Sequence, residues 1–209
     1  MKGNVLPLMS RIHWRSTVLA TAAGALALSP TAAWAHADAH SGGGFVAGFL
    51  HPISGLDHVV AMVAVGLWGA VLGPPALWVL PVAFPIVMAF GGLLGLLGVP
   101  IPGVEIGIAV SGLVMGLMVL FELRPPLWLA ALIVSAFAVF HGHAHGAELP
   151  TGGNALLYSL AFVIATGLLH LVGILLGETR RWPGGRRCVR AAGGGVALVG
   201  LWFLERALR

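Results

Sequence analysis

The chain has 209 residues, 58% of them hydrophobic and only 9% charged, with a mean hydropathy of +0.98. A soluble domain carries roughly 25% charged residues, so this composition excludes an ordinary soluble fold and fits a chain that crosses a bilayer repeatedly, at about 20 apolar residues per crossing. The net charge of +4 does not point to nucleic acid, because the basic residues gather in short loops and not along an aromatic-interleaved surface.

The N-terminus carries Lys2, Arg11, His13 and Arg15, then an apolar run from Thr17 to Leu28, then Ala33-Trp34-Ala35. That order predicts a signal peptide over residues 1–35, cleaved after Ala35. The apolar run falls short of the ~18 residues that would make the alternative, an uncleaved first helix. Cleavage would leave His36 as the new N-terminus, with Asp38 and His40 close behind, a set able to chelate a metal at an external mouth; a plain polar tail is the duller reading.

Six apolar stretches of helical length follow, at 45–72, 76–97, 104–121, 126–145, 154–177 and 191–208. Gly73-Pro74-Pro75, the 98–103 segment with its two prolines, residues 122–126, residues 146–153 and an arginine-rich stretch separate them. The expected fold is an all-α membrane protein, a compact bundle of six transmembrane helices occupying residues 36–209 after the cleaved signal peptide. With the processed N-terminus outside, Arg124 and the loop bearing Arg180, Arg181, Arg186, Arg187 and Arg190 fall inside, and both termini are periplasmic. Asp38, Glu105 and Glu148 fall outside. Gly91 with Gly95, and Gly112 with Gly116, have the spacing that lets membrane helices approach closely. The chain shows neither an inverted repeat nor a phosphate-cradling loop for ATP.

Ionisable residues inside apolar spans are costly and mark substrate or ion paths. The first stretch contains His51, Asp57 and His58. Seven residues make nearly two turns, so on a continuous helix His51 and His58 share a face and Asp57 sits about 100° away; Pro52 introduces a kink. Asp57 could ligate, or could accept the second N–H of a ligating histidine. The fourth stretch ends His141-Gly-His143-Ala-His145-Gly-Ala-Glu148, which stacks His141, His145 and Glu148 along one stripe. His143 points elsewhere. Given the expected topology, both groups and Glu105 lie toward the same membrane face. The one cysteine, Cys188, leaves no cysteine cage, so any metal must be held by nitrogen and oxygen. Imidazole with carboxylate suits Ni, Zn, Co or Cu(II) and does not choose among them.

Duller roles are assigned elsewhere. His170, deep in the fifth stretch, is expected to hydrogen-bond a neighbouring helix. Met62, Met115 and Met118 read as packing, and Glu122 and Glu178 as solvated span ends.

At its two histidine segments the chain resembles the HupE/UreJ family of nickel/cobalt permeases. The HPxxGxDH signature is matched by His51, Pro52, Gly55, Asp57 and His58. The FHGxAHGxE signature is matched by Phe140, His141, Gly142, Ala144, His145, Gly146 and Glu148. The resemblance implies a bacterial inner-membrane protein, not an enzyme, that takes up Ni²⁺ (or Co²⁺) by facilitated diffusion for hydrogenase or urease maturation, with no prosthetic group and no ATPase subunit. It implies functional roles for His51, Asp57, His58, His145 and Glu148, with His141, and adds Glu105 and Phe84. His143 occupies a variable position of the signature. Together with His36, His40 and His170, these are the candidates for the metal path. The divalent ion and the lipid bilayer are the expected partners, and a homo-oligomer is compatible. An intramembrane zinc hydrolase, a bis-histidine haem protein and a non-conducting metal-binding accessory are the rivals.

Overall fold

The computed structural model describes residues 44–148 and 154–209. The regular elements among them are all helical: α1 (Phe45–Ser54), α2 (Leu56–Leu72), α3 (Ala76–Leu96), α4 (Val104–Leu120), α5 (Leu127–Ala147), α6 (Ala155–Glu178) and α7 (Gly185–Ala207). A 3-10 turn, Thr179–Arg181, joins the last two. The expected signal peptide, with His36, Asp38 and His40, lies outside the described residues.

Helices α3, α5, α6 and α7 are long and apolar enough to cross a bilayer, and α1 with α2 make a fifth crossing if the bent pair counts as one. Helix α4 has 17 residues, at the bottom of the roughly 17–25 that span a membrane. Large apolar side chains such as Trp78, Ile86, Leu132, Leu156 and Leu198 face outward, as lipid contact requires.

The first apolar stretch departs from the continuous helix that its length suggests. Its backbone leaves helical geometry at Gly55 (φ −91°, ψ 116°), and α1 meets α2 at 82°. Pro52 has no N–H with which to close the last turn of α1, while the Ser54 hydroxyl donates to the His51 carbonyl at 2.9 Å. Asp57 then lies in the first turn of α2, where the helix dipole favours a carboxylate. The arginine-rich stretch also differs from expectation, since Arg186, Arg187 and Arg190 belong to α7. Arginine is a good helix former, and contacts with the end of α4 hold this extra turn.

Glycines bring the helices together in pairs. A Cβ at Gly142 or Gly146 on α5 would strike the backbone of Met88 or Gly92 on α3, and one at Gly91 or Gly95 would strike α5. Gly112 and Gly116 on α4 meet Gly193, Ala197 and Gly200 on α7, and Gly66 on α2 meets α6 around His170 and Gly173. The two glycine pairs read from the sequence therefore do pack backbones closely.

Cross-helix contacts define the two ends of the bundle. At one end the His143 ring lies against the 98–103 loop and α1 packs on the start of α6. At the other, the Trp68 indole donates to the Leu123 carbonyl at 3.0 Å. Arg190 Nε donates to the Leu120 carbonyl at 2.9 Å, and Arg186 Nε to the Glu122 carboxylate at 2.8 Å. Arg124, Arg180, Arg181 and Arg187 share this second end with them. Glu122 has φ +51°, a strained conformation for a residue with a side chain. It terminates α4 through Leu123 N–H to Met118 O at 2.9 Å and Glu122 N–H to Val119 O at 3.1 Å, the Schellman pattern that usually takes glycine.

Two expectations follow. Gly142→Ala should destabilise the purified protein by about 1–3 kcal/mol, the usual cost of overpacking, whereas Gly167→Ala, whose Cβ would meet nothing within 4 Å, should not; thermal midpoints in detergent compare them. The hydrogen bond from Arg186 holds the Glu122 carboxyl below its ordinary value of 4.5. A depressed carboxylate stabilises fully above its unfolded value and loses that contribution as pH falls through the folded one. The melting temperature should thus drop below pH 4.5, modestly because the guanidinium is 70% exposed and screened. Glu122→Gln should remove that part of the pH dependence.

Candidate metal centre

The break at Gly55 places His51 at the end of α1 and Asp57 and His58 at the start of α2, all beside the last turns of α5. On α5 the histidine and glycine stripes run side by side. Gly142 and Gly146 press on α3, and His141 and His145, four residues apart, are buried.

His145 Nδ1 lies 3.0 Å from His51 Nε2, and Glu148 Oε2 lies 3.9 Å from the same His51 nitrogen. One ligand atom from each of these three residues falls within 4.8 Å of the others. Donors about 2.0–2.2 Å from a tetrahedral ion are roughly 3.3–3.6 Å apart, so small side-chain shifts would complete a three-donor site. Glu148 is exposed and His51 half-buried, which makes this trio a mouth.

Just inside, His58 Nδ1–H donates to Asp57 Oδ1 at 3.0 Å, the carboxylate–histidine pairing that fixes a ligand's tautomer. The His58 ring centroid is 4.4 Å from that of His145 and 5.0 Å from that of His141. His141 Nε2 meets Ser111 Oγ on α4 at 2.9 Å. Three ring nitrogens, His58 Nε2, His141 Nδ1 and His145 Nε2, are buried with no hydrogen-bond partner among the described residues. Buried polar atoms are almost always paired, because an unpaired one forfeits its hydration. Bare imidazole nitrogens are ligands for a divalent transition metal, although among the described residues the three-residue group with one ligand atom each within 4.8 Å of the others is His51, His145 and Glu148.

The rings continue inward. Phe84 on α3 lies 5.7 Å from His141 and 5.4 Å from His170, so it stands between the two imidazoles. His170 does not make the helix-to-helix hydrogen bond expected from the sequence. The Pro81 carbonyl on α3, which Pro85 cannot engage for want of an N–H, lies near it, yet neither ring nitrogen has a hydrogen-bond partner among the described residues. Thr166 Oγ1, one turn away on α6, is likewise unpartnered there.

Two candidates stand apart. His143 Nε2 donates to the Val99 carbonyl at 2.7 Å, holding the loop between α3 and α4. Glu105 is exposed in the first turn of α4 and forms no ion pair among the described residues. The site also contains residues that the sequence reading passes over. Tyr158 and Phe162 wall the mouth, with the Phe162 ring 4.4 Å from His145 and the Tyr158 ring 6.0 Å from His51. Tyr158, Phe162, Thr166 and His170 recur every four residues along α6, a stripe that helical spacing could have exposed.

The profile described as HupE / UreJ protein matches residues 24–203. A curated relative, Protein HupE of Rhizobium leguminosarum bv. viciae, is 49% identical over 186 residues, covering 89% of this chain and 96% of the relative. No solved structure matches the chain.

Loss of the Asp57 carboxylate would free the His58 ring. If the cluster holds a divalent transition metal, Asp57→Asn should weaken its binding to the purified protein, read with Ni²⁺ as the probe, by about 10–100-fold, the usual effect of removing such a partner. Isothermal titration calorimetry reads this directly, and unchanged affinity would show that His58 is oriented by something else.

Proposed function

We propose, from the premise that this chain belongs to the HupE / UreJ family of nickel/cobalt transporters, that it is a permease passing Ni²⁺ stepwise between two histidine stations that share His145. Members of the family are transporters and not enzymes, and the chain is an integral membrane protein with a role in metal uptake.

The observation that carries it is the trio of buried, unpartnered imidazole nitrogens on His58, His141 and His145. The outer station consists of His51, His145 and Glu148, where a hydrated ion exchanges part of its water for imidazole and carboxylate. His36, His40 and Glu105 assist collection at that end. The inner station consists of His58, His141 and His145, with Asp57 orienting His58. His145 has one nitrogen at each station, Nδ1 near His51 and Nε2 unpartnered, so it can hold the ion while the other ligands change. His170, across Phe84, is the next imidazole inward.

Neutral imidazoles and few fixed carboxylates bind tightly enough to strip water and loosely enough to release the ion. The movement is downhill, by facilitated diffusion. We assign the arginine end to the cytoplasm by the positive-inside bias, which makes the histidine mouth and both termini periplasmic in the inner membrane. The bent α1–α2 pair and α3 to α7, with the short α4 held along α7, make six crossings. Nickel is assigned over cobalt, and its destination is hydrogenase or urease maturation.

Cells expressing the chain should accumulate radioactive nickel, and His58→Ala and Glu148→Ala should each cut uptake at least tenfold, in line with the loss expected for a ligand set, at unchanged membrane levels. Flux into proteoliposomes separates conduction from mere binding. Normal transport by both variants would refute the site, and nickel binding without flux would refute the permease.

A further inference from the structure

The trio of unpartnered nitrogens includes one whose protonation is set by a neighbour that neither signature contains. We propose that Ser111 is a positioning residue: it takes the Nε2 proton of His141 into a hydrogen bond, fixes that ring in one tautomer, and so keeps Nδ1 bare for the metal ion in transit. The proposal rests on His141 being a ligand of the inner station.

The protons available at this contact fix the tautomer. Ser111 Oγ lies 2.6 Å from the Ile108 carbonyl and 2.9 Å from His141 Nε2. A hydroxyl has one proton to give, and a carbonyl can only accept. The Ser111 proton therefore goes to Ile108, the back-bond that serine commonly makes within a helix. Ser111 Oγ is left as an acceptor, and Nε2 of His141 must be the donor. A neutral imidazole carries one N–H, so Nδ1 holds a free lone pair. That nitrogen is buried and has no partner among the described residues.

The other tautomer loses a hydrogen bond. Ser111 would have to turn its proton from the Ile108 carbonyl to Nε2, leaving that carbonyl without the hydroxyl, while the Nδ1–H of His141 would gain no acceptor among the described residues in return.

Packing keeps the two residues in register. One turn before Ser111, Gly107 leaves room for the Phe140 ring, whose Cγ would lie 2.5 Å from a Cβ there. Phe140 precedes His141, so seating its ring on Gly107 brings the imidazole level with the hydroxyl. Ser111 is buried, and beyond Glu105 it is the one polar side chain of α4.

Threonine and valine have the same shape and differ by the hydroxyl, so Ser111→Thr and Ser111→Val, each alone and with His141→Ala, form the test. Nickel uptake is measured against nickel concentration at matched membrane levels of the full-length protein. Ser111→Val should raise the half-saturating nickel concentration about tenfold or more, as loss of a ligand's orienting partner does, and Ser111→Thr should restore it toward the parent value. In the His141→Ala background both substitutions should add nothing. Equal impairment of Thr and Val variants would mean that shape and not the hydroxyl matters, and would overturn the proposal. So would a Val variant with normal half-saturation beside an impaired His141→Ala. Normal transport by His141→Ala would instead remove His141 from the inner station, a separate failure of the reading on which the proposal stands.

Discussion

On a straight helix, His51 and His58 would be separated by about 10.5 Å along the axis, seven residues at 1.5 Å each. The 82° bend at Gly55 replaces that straight stagger, and the His145 ring sits 4.8 Å from one and 4.4 Å from the other. Breaking the helix also frees backbone groups. The first turn of α2 begins with Asp57, whose carboxylate is favoured by the helix dipole and holds His58. One local departure from helical geometry thus positions the histidines and braces one of them.

A second constraint acts from α5. A helix that lines a polar path must still pack against its neighbours, and small residues are the means by which membrane helices do so. In the His141-to-Glu148 segment the two demands interleave with a period of four residues. Glycines take the stripe facing α3, and histidines take the adjacent one. A bulkier residue at 142 or 146 would move the imidazoles as surely as a change in the imidazoles themselves.

Much of this was legible in the sequence, and the rest failed for identifiable reasons. The apolar stretches lie within a few residues of the helices except where charge obscures the pattern. The three arginines at the head of α7 read as loop because a hydropathy window penalises them, although they are good helix formers. The convergence of His51, Asp57, His58, His141, His145 and Glu148 at one end was legible because short connections fix which ends of consecutive helices meet. The break at Gly55 was not, since Pro52 signals disruption without saying which residue will absorb it. Ser111 was invisible because its partner lies thirty residues away on another helix, and spacing along one chain cannot report a hydroxyl across an interface. Glu105 shares an end with the cluster and is exposed in the first turn of α4, a position that a shared end alone does not specify.

Imidazoles in contact have a second aptitude besides binding metal. Passing a proton from ring to ring requires donors and acceptors in sequence, as between His51 and His145, and a membrane that stores energy as a proton gradient is drained by any such relay that runs its full width. The Phe84 ring, set between His141 and His170, has neither a proton to give nor a lone pair to receive one. A proton hopping along hydrogen bonds finds no next step there. Along the path proposed above, that ring is an insulator in the protonic circuit.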